Sequence, residues 1–506
     1  MSYATVLSRA SVGIQAPQVT IEVHLANGIP SFSLVGLAET TVRESKERVR
    51  SAIIQSGFEF PAKRIVVNLA PADLPKHGGR FDLAIAMAIL VASEQATANS
   101  IENTEFLGEL SLSGTLRPVT AALPACVAAK HSQRRIVIAT DNAAEASLCD
   151  HSQSFSAHSL LNAVELLSSP ETLRPIGREL DNREPKFDVD ISEIIGQVQA
   201  KRALLIAATG RHNILFVGPP GTGKSMLAQR LRTLLPPLNE QQALESASIF
   251  SVNGDLNIAS QWRQRPYRSP HHSASATALL GGGASPKPGD ISLAHQGILF
   301  LDELPEFGRK ALDALREPLE TGDIHISRAA AKVCYPARFQ LVAAMNPSPT
   351  GDINDQRSTP EQVLRYLQRL SGPLLDRIDL QVTVEKQRIS GSIKQPSSHD
   401  KTPTSEVLRA EVSRCQQHQR ARQGKLNADM SVTDLARFCR LSADTQTFFE
   451  TALHKLEASH RAAHRYLKVA RTIADIENSS TIERQHLAEA LGYRSLDTLI
   501  RQLTAC

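Results

Sequence analysis

The chain has 506 residues, more than one hydrophobic core usually supports, so two or three domains are expected. Hydrophobic residues make up 42% and charged residues 21%, which excludes a disordered or fibrous protein. A net charge of +4 over this length is too small to argue for nucleic acid by itself. The six cysteines, at 126, 149, 334, 415, 439 and 506, are scattered. They suit a reducing cytosol better than a disulfide framework or a zinc knuckle. The apolar window Phe81–Ala92 is too short to span a bilayer and carries Asp82. A soluble, cytoplasmic protein with no membrane partner is therefore expected.

Residues 1–167 mix short strands and helices. Val19, Ile21, Val23 and Leu25 alternate with Thr20, Glu22 and His24, the period of a half-buried strand. Arg64–Leu69 and Arg135–Ala139 read as further strands, Thr41–Ser56 and Phe81–Ala92 as helices. Residues 168–187 are polar, contain proline and read as a linker. From 188 to 384, buried β-rich runs alternate with helical segments, as in an α/β sheet. A second polar linker, 385–405, leads into a helical domain, 406–506. There Ser431–Leu441, Ala443–Ala458 and Ala462–Asn478 carry apolar residues at steps of three and four.

The strongest chemical signal is Gly218-Pro219-Pro220-Gly221-Thr222-Gly223-Lys224-Ser225, which matches G-x-x-x-x-G-K-[ST]. It lies between an apolar strand, Asn213–Val217, and a helix, Met226–Leu235, the context such a loop needs. Its glycines let backbone N–H groups close around phosphates, and the helix N-terminus adds its dipole. Lys224 is expected on the β- and γ-phosphates of ATP, and the Ser225 hydroxyl on Mg²⁺.

A second apolar run, Gly297–Leu301, ends in Asp302 and Glu303. Buried parallel strands read this way, and α/β sheets place ligands at their C-terminal ends. Asp302 is expected to hold Mg²⁺ and Glu303 to polarise the attacking water. A third run, Gln340–Met345, ends in Asn346. Asn346 can position the water or the γ-phosphate, or form an Asx turn before Pro347.

The P-loop, Asp302-Glu303 and Asn346 fall in the order found in AAA+ ATPases. Four longer phrases are similar to the magnesium-chelatase-like ComM/YifB family: Arg268-Ser-Pro-His-His-Ser-Ala-Ser, Leu279-Leu-Gly-Gly-Gly, Arg369-Leu-Ser-Gly-Pro-Leu-Leu-Asp-Arg377-Ile-Asp and Lys468-Val-Ala-Arg-Thr-Ile-Ala-Asp. The likeness covers nearly the whole chain. It implies an AAA+ P-loop core of α/β class with a C-terminal helical lid, behind a Lon-protease-like α+β N-terminal domain. It also implies a hexameric, ring-forming helicase that drives branch migration on single-stranded or branched DNA during natural transformation, with recombination proteins as further partners. Arg377 matches the arginine finger offered to a neighbouring subunit, and Arg461 the second sensor arginine, with Arg471 as runner-up. Such residues neutralise charge on the transferred phosphoryl group. By sequence alone, Arg377 between Asp376 and Asp379 reads equally well as a surface salt bridge.

The work driven by ATP is less legible. Trp262-Arg-Gln-Arg265-Pro-Tyr267-Arg268 interleaves arginines with aromatics and reads as a phosphate-pairing, base-stacking segment or as ordinary packing. Gly281–Gly283 with Pro286 and Pro288 suggests a loop-rich insertion, in related ATPases a pore loop. Arg461, Arg465, Lys468 and Arg471 share one helical face with no acid between them. The rival readings are a chelatase-type remodelling ATPase and an ATP-dependent protease. Against the protease, the Lon serine position holds Arg80, and Pro118–Pro124, where Lon supplies its lysine, has none. Many family members carry cysteines after the sensor asparagine. Ser348, Thr350, Ser358 and Thr359 stand there instead, so no zinc is expected.

Overall fold

A computed structural model of the chain describes residues 2–36, 39–76, 78–97, 101–168, 175–177, 187–255, 257–283, 286–327, 332–352, 357–386, 403–494 and 496. Most of both expected linkers lies outside these residues. Among the described residues, no helix is long and apolar enough to cross a membrane.

The apolar window forms the helix Asp82–Ala92, and every residue of it is buried. Ala at alternate positions keeps it slim enough to pack beneath a sheet. That sheet has seven strands, in the order Ser31–Val35, Arg64–Ala70, Gln18–Ala26, Tyr3–Arg9, Thr104–Leu107, Arg135–Ala139 and Ser154–Ala157. Gln18–Ala26 runs antiparallel to both its neighbours, and the last four strands run parallel. The alternation read in the sequence is kept, with Val19, Ile21 and Val23 fully buried.

The second sheet has five strands in the order Tyr267–Arg268, Ile298–Leu301, Gln340–Met345, Ile214–Val217 and Leu380–Thr383, all parallel. Because side chains alternate along a strand, Ile214 and Phe216 face one core while Leu215 and Val217 face another. Burial on both faces is what a continuous apolar run requires.

The C-terminal helices complete the first of these two cores. Val412, Cys415, Met430, Tyr466, Val469, Ile473 and Leu487 share it with the helices Val198–Gly210 and Lys224–Leu234. The segment after the helix Arg484–Gly492 docks on the sheet edge, where Gln381 N–H donates to Tyr493 O at 2.9 Å. Another core joins Leu238, Ala243, Ala247 and Trp262 to Leu123 and Cys126 of the N-terminal helix Ala122–His131. Ser251 Oγ donates to Glu145 across the same junction at 2.6 Å.

One buried charge matters to the first sheet. Arg9 Nε and Nη2 donate to the fully buried Glu105 at 2.7 and 2.6 Å. Arg9→Met is expected to destabilise the protein by about 3–5 kcal/mol, because it removes the two short donors of a buried carboxylate and leaves it Arg134 Nη1 at 3.4 Å. Arg117→Met breaks an exposed contact with Glu109 and should cost less than about 1 kcal/mol. Urea unfolding, followed by circular dichroism and by the fluorescence of the single Trp262, separates the two outcomes.

Candidate functional site

The site is built where three parallel strands end together. Gly218 N–H donates to Met345 O at 3.1 Å, which ties the P-loop strand to its neighbour. A Cβ at Gly218 would sit 2.2 Å from Val384 O, so no other residue fits there. Gly221 and Gly223 hold φ of +77° and +90°, a region that costs glycine little. Pro220 rests against Gly351, whose added Cβ would approach it at 3.0 Å. Thr222 Oγ1 closes the loop by donating to Pro219 O at 2.9 Å.

Lys224 opens the following helix and is buried. Its Nζ donates to Gly218 O at 2.6 Å, Pro219 O at 2.9 Å and Asn346 Oδ1 at 3.1 Å. Burial pulls this amine below its usual range, while the charges of Asp302 and Glu303 oppose the shift. The next residue, Ser225, donates its hydroxyl to Asp302 Oδ2 at 2.7 Å. The strand ending in Asn346 lies between the strands ending in Gly218 and Asp302, so Asn346 is delivered between the loop and the acid pair.

Glu303 diverges from Asp302. Its backbone is left-handed, with φ 53° and ψ 47°, and its N–H donates to Asp302 Oδ1 at 2.9 Å. A non-glycine residue in this region is strained, and such strain gathers at functional sites. Its carboxylate meets His272 Nδ1 at 3.0 Å. The hydroxyl of Ser225 beside the Asp302 carboxylate is a hard-oxygen donor set that fits Mg²⁺. The glycine cradle and helix N-terminus, with Lys224, fit a triphosphate.

Arg377 is not in this cluster. Leu380 pairs with Ile214 at the start of the P-loop strand, and Asn213 Nδ2 donates to Arg377 O at 2.8 Å. Five residue steps of extended chain carry Asn213 to Gly218, a span of about 16 Å. Arg377 thus stands at the edge of the sheet opposite its own P-loop, where Nη2 donates to Glu320 Oε2 at 2.5 Å and Nη1 to Pro373 O at 2.6 Å.

Arg461 is exposed in the first turn of the helix His460–Ile476. One turn later Arg465 donates to the Asp376 backbone carbonyl and, at 3.2 Å, to its carboxylate. Arg461 therefore lies toward the edge that carries Arg377. Arg471 is 2% exposed, and its donors are taken by Asp475 at 3.1 Å, Ser480 O at 3.0 Å and Ser479 O at 2.5 Å. It is a packing residue.

In the Trp262–Arg268 stretch the indole and several arginine donors are engaged within the protein, as ordinary packing requires. Trp262 is 7% exposed in the core shared with the N-terminal helix. Arg265 donates to Pro236 O and Gln296 O at 2.7 Å each, and Arg268 to Asp290 at 2.6 and 2.9 Å. Arginine next to an aromatic looks the same in a sequence whether its donors meet carbonyls or phosphates. Ser348, Thr350 and Ser358 bond one another through their hydroxyls, at 3.3 and 3.0 Å.

Sequence reasoning missed two contributors. Gln197 Nε2 donates to Glu385 O at 2.9 Å and to Thr222 O at 3.5 Å, fixing the segment ahead of its helix on the P-loop. Ile195 and Val198 beside it are each 77% exposed, an apolar surface suited to a flat base. The other is His272. A histidine pair in a polar loop gives no hint in the sequence that it faces an acid some thirty residues on.

A glycine cradle, a lysine, a hydroxyl–carboxylate pair and an acid at adjoining strand ends define a P-loop nucleotide hydrolase site. Family models agree: "Magnesium chelatase, subunit ChlI" matches residues 190–391, "Subunit ChlI of Mg-chelatase" residues 21–142, and the "subunit ChlI C-terminal" model residues 402–494. The chain is 53% identical to "Competence protein ComM" of Haemophilus influenzae over 100% of both chains. It is 51% identical to YifB of Escherichia coli over 99% of each. The "Magnesium-chelatase 38 kDa subunit" of Rhodobacter capsulatus is 29% identical over 39% of this chain and 56% of that protein. The chain belongs to the ComM/YifB family of magnesium-chelatase-like AAA+ ATPases.

Asn346→Ala is expected to lower kcat for ATP hydrolysis by about 10²-fold, through lost positioning, with little change in nucleotide affinity. Steady-state hydrolysis alongside a nucleotide-binding titration reads both terms.

Proposed function

We propose that the protein hydrolyses ATP with Mg²⁺ in a ring of identical subunits and spends the energy on DNA, as a branch-migration helicase for the integration of incoming DNA. The observation that carries the ring is that Arg377 and its own P-loop lie at opposite ends of the central strands. An arginine so placed can serve hydrolysis from a neighbouring subunit. A head-to-tail interface that closes on itself makes a ring, in which every P-loop faces another subunit's Arg377 edge. Arg461, on that same edge, would join it there. The DNA half of the reading is supported by the full-length likeness to a protein named for competence.

Within the site, Lys224 and the loop N–H groups bind the phosphates, and Ser225 and Asp302 hold Mg²⁺. A bound ion would supply neutralisation of the charge on the phosphate oxygens. Glu303 accepts the proton of the attacking water, and Asn346 fixes its approach.

The N-terminal domain is read as a Lon-like fold without proteolysis. Arg80, at the position of the Lon nucleophile, is 7% exposed, and among the described residues its Nε and Nη2 have no hydrogen-bond partner. Burial pulls the guanidinium down to about 10. A second reading is a chelatase-type remodelling ATPase acting on a protein or tetrapyrrole partner. It is favoured by the family model over 190–391 and by the Rhodobacter relative.

Two variants test the ring together. Lys224→Ala and Arg377→Ala are each expected to lose about 10³-fold or more in turnover. Mixed in equal amounts they should recover about a quarter of the parent rate, since some interfaces then pair an intact loop with an intact arginine. No recovery on mixing would remove the shared site. Branch migration of a four-way DNA junction by the parent, lost in Lys224→Ala, tests the DNA half. A protein indifferent to every DNA structure but stimulated by a porphyrin-binding partner would favour the chelatase reading.

A further inference from the structure

The N-terminal domain buries two arginines in opposite ways. Arg9 turns Nε and Nη2, one edge of its guanidinium, onto both oxygens of Glu105 at 2.7 and 2.6 Å. Two parallel donors on one edge match two oxygens of one acid, which is the strong, directional mode of arginine. Arg80 keeps the same edge empty. The residue is 7% exposed, and among the described residues its Nε and Nη2 are enclosed without a hydrogen-bond partner. Burial alone pulls this guanidinium down to about 10, because no nearby carboxylate opposes the shift.

The acids beside Arg80 are committed elsewhere. Asp82 accepts from Ser45 Oγ and from Arg48 Nε, each at 2.6 Å. Glu109, which a Cβ on Gly79 would strike at 2.6 Å, faces Arg117 at 3.8 Å. The main chain of Arg80 is also pinned. Its carbonyl accepts from Gly108 N–H at 3.1 Å, while Asp82 N–H donates to Gly79 O at 2.9 Å and Leu83 N–H to Gly108 O at 3.1 Å. Lys76, four residues earlier and 3% exposed, gives the contrast: its amine donates to Pro71 O and, at 3.4 Å, to Leu74 O. One buried cation of this segment is provided with acceptors and the other is not. A charge withdrawn from water and left unpaired is costly, so a fold seldom keeps one without a partner.

We propose that Arg80 anchors an oxyanion site in the N-terminal domain, its Nε–Nη2 edge gripping two oxygens of a carboxylate or phosphate group as Arg9 grips Glu105. Nη1 is the one guanidinium nitrogen not so enclosed, and it marks the corner from which the group approaches. Ahead of the pinned stretch, Gly78 has φ of +74° and open space where a Cβ would stand, which gives the chain room to yield as the group enters. Nothing in this site depends on the nucleotide site of the second sheet.

Hydrogen exchange of the full chain, read by mass spectrometry on peptides over residues 76–84, tests the site. The probes are sodium acetate and sodium phosphate, against sodium chloride of equal ionic strength. At ten times its half-saturating concentration, the bound anion is expected to slow exchange there about tenfold. Whichever anion half-saturates at the lower concentration identifies the group, carboxylate or phosphate. Arg80→Met should abolish the protection. Arg80→Lys, which keeps the charge without the fork, should lose most of it and carries the test if the methionine variant does not fold. Phosphate can also bind the P-loop, so peptides over 213–227 serve as the internal reference and should respond alike in all three proteins. Protection of 76–84 that neither anion produces, or that persists in full in Arg80→Met or Arg80→Lys, would overturn the site.

Discussion

The site depends on one constraint: parallel strands in a single sheet must begin and end on common edges. The strands that end in Gly218, Asp302 and Asn346 share one edge because they hydrogen-bond in register, Ile214 with Val342 and Phe300 with Val342 on its other side. No loop could hold Ser225 Oγ against Asp302 at 2.7 Å with comparable definition. The same rule sends Arg377 to the far edge, since it precedes a strand where the others follow one. Cluster and exile have the same cause.

Much of this arrangement is legible in the chain. The P-loop is recognisable because glycines at fixed intervals are forced by geometry, as at Gly218, where a side chain would strike Val384 O. The acid pair and Asn346 are recognisable because each ends an apolar run that must be a buried strand. Strand order is not legible, and with it goes the fact that Asn346 lies between the loop and the acids. The role of Arg265 is hidden for another reason: its partners are backbone carbonyls, which every residue carries. His272 belongs with it. Tertiary contacts between polar loops leave no periodicity to read.

The helical tail shows a further limit. Amphipathic spacing identifies helices such as His460–Ile476, yet it does not say what their apolar faces cover. Here they cover the sheet itself, sharing one core with Ile214, Phe216 and Leu380. A lid that completes the core of the ATPase sheet is not a loosely tethered module, and its position is tied to that of the nucleotide site.

Those ties can be followed atom by atom. Gln197 joins the P-loop carbonyl of Thr222 to the start of the helix Val198–Gly210. From that helix Arg202 donates to Glu489 and Glu477 of the tail, each at 2.9 Å. At the other end of the tail helix Arg465 holds Asp376, the neighbour of Arg377. His212 bridges Thr472 at 2.8 Å and Asp379 at 3.1 Å. Burial pushes the Asp379 carboxyl up, but its bond to His212 and the charges of His212, Lys468 and Arg465 outweigh this and hold it below the usual carboxylate range. The acid therefore stays ionised though half-buried, and an ionised acid so placed resists separation from its partners. Asp376 and Asp379 flank Arg377, so the segment that presents the arginine is gripped from both sides by groups belonging to, or bonded to, the tail helix. A shift of the P-loop that moved the Val198–Gly210 helix would carry the tail, and the tail would carry Arg377.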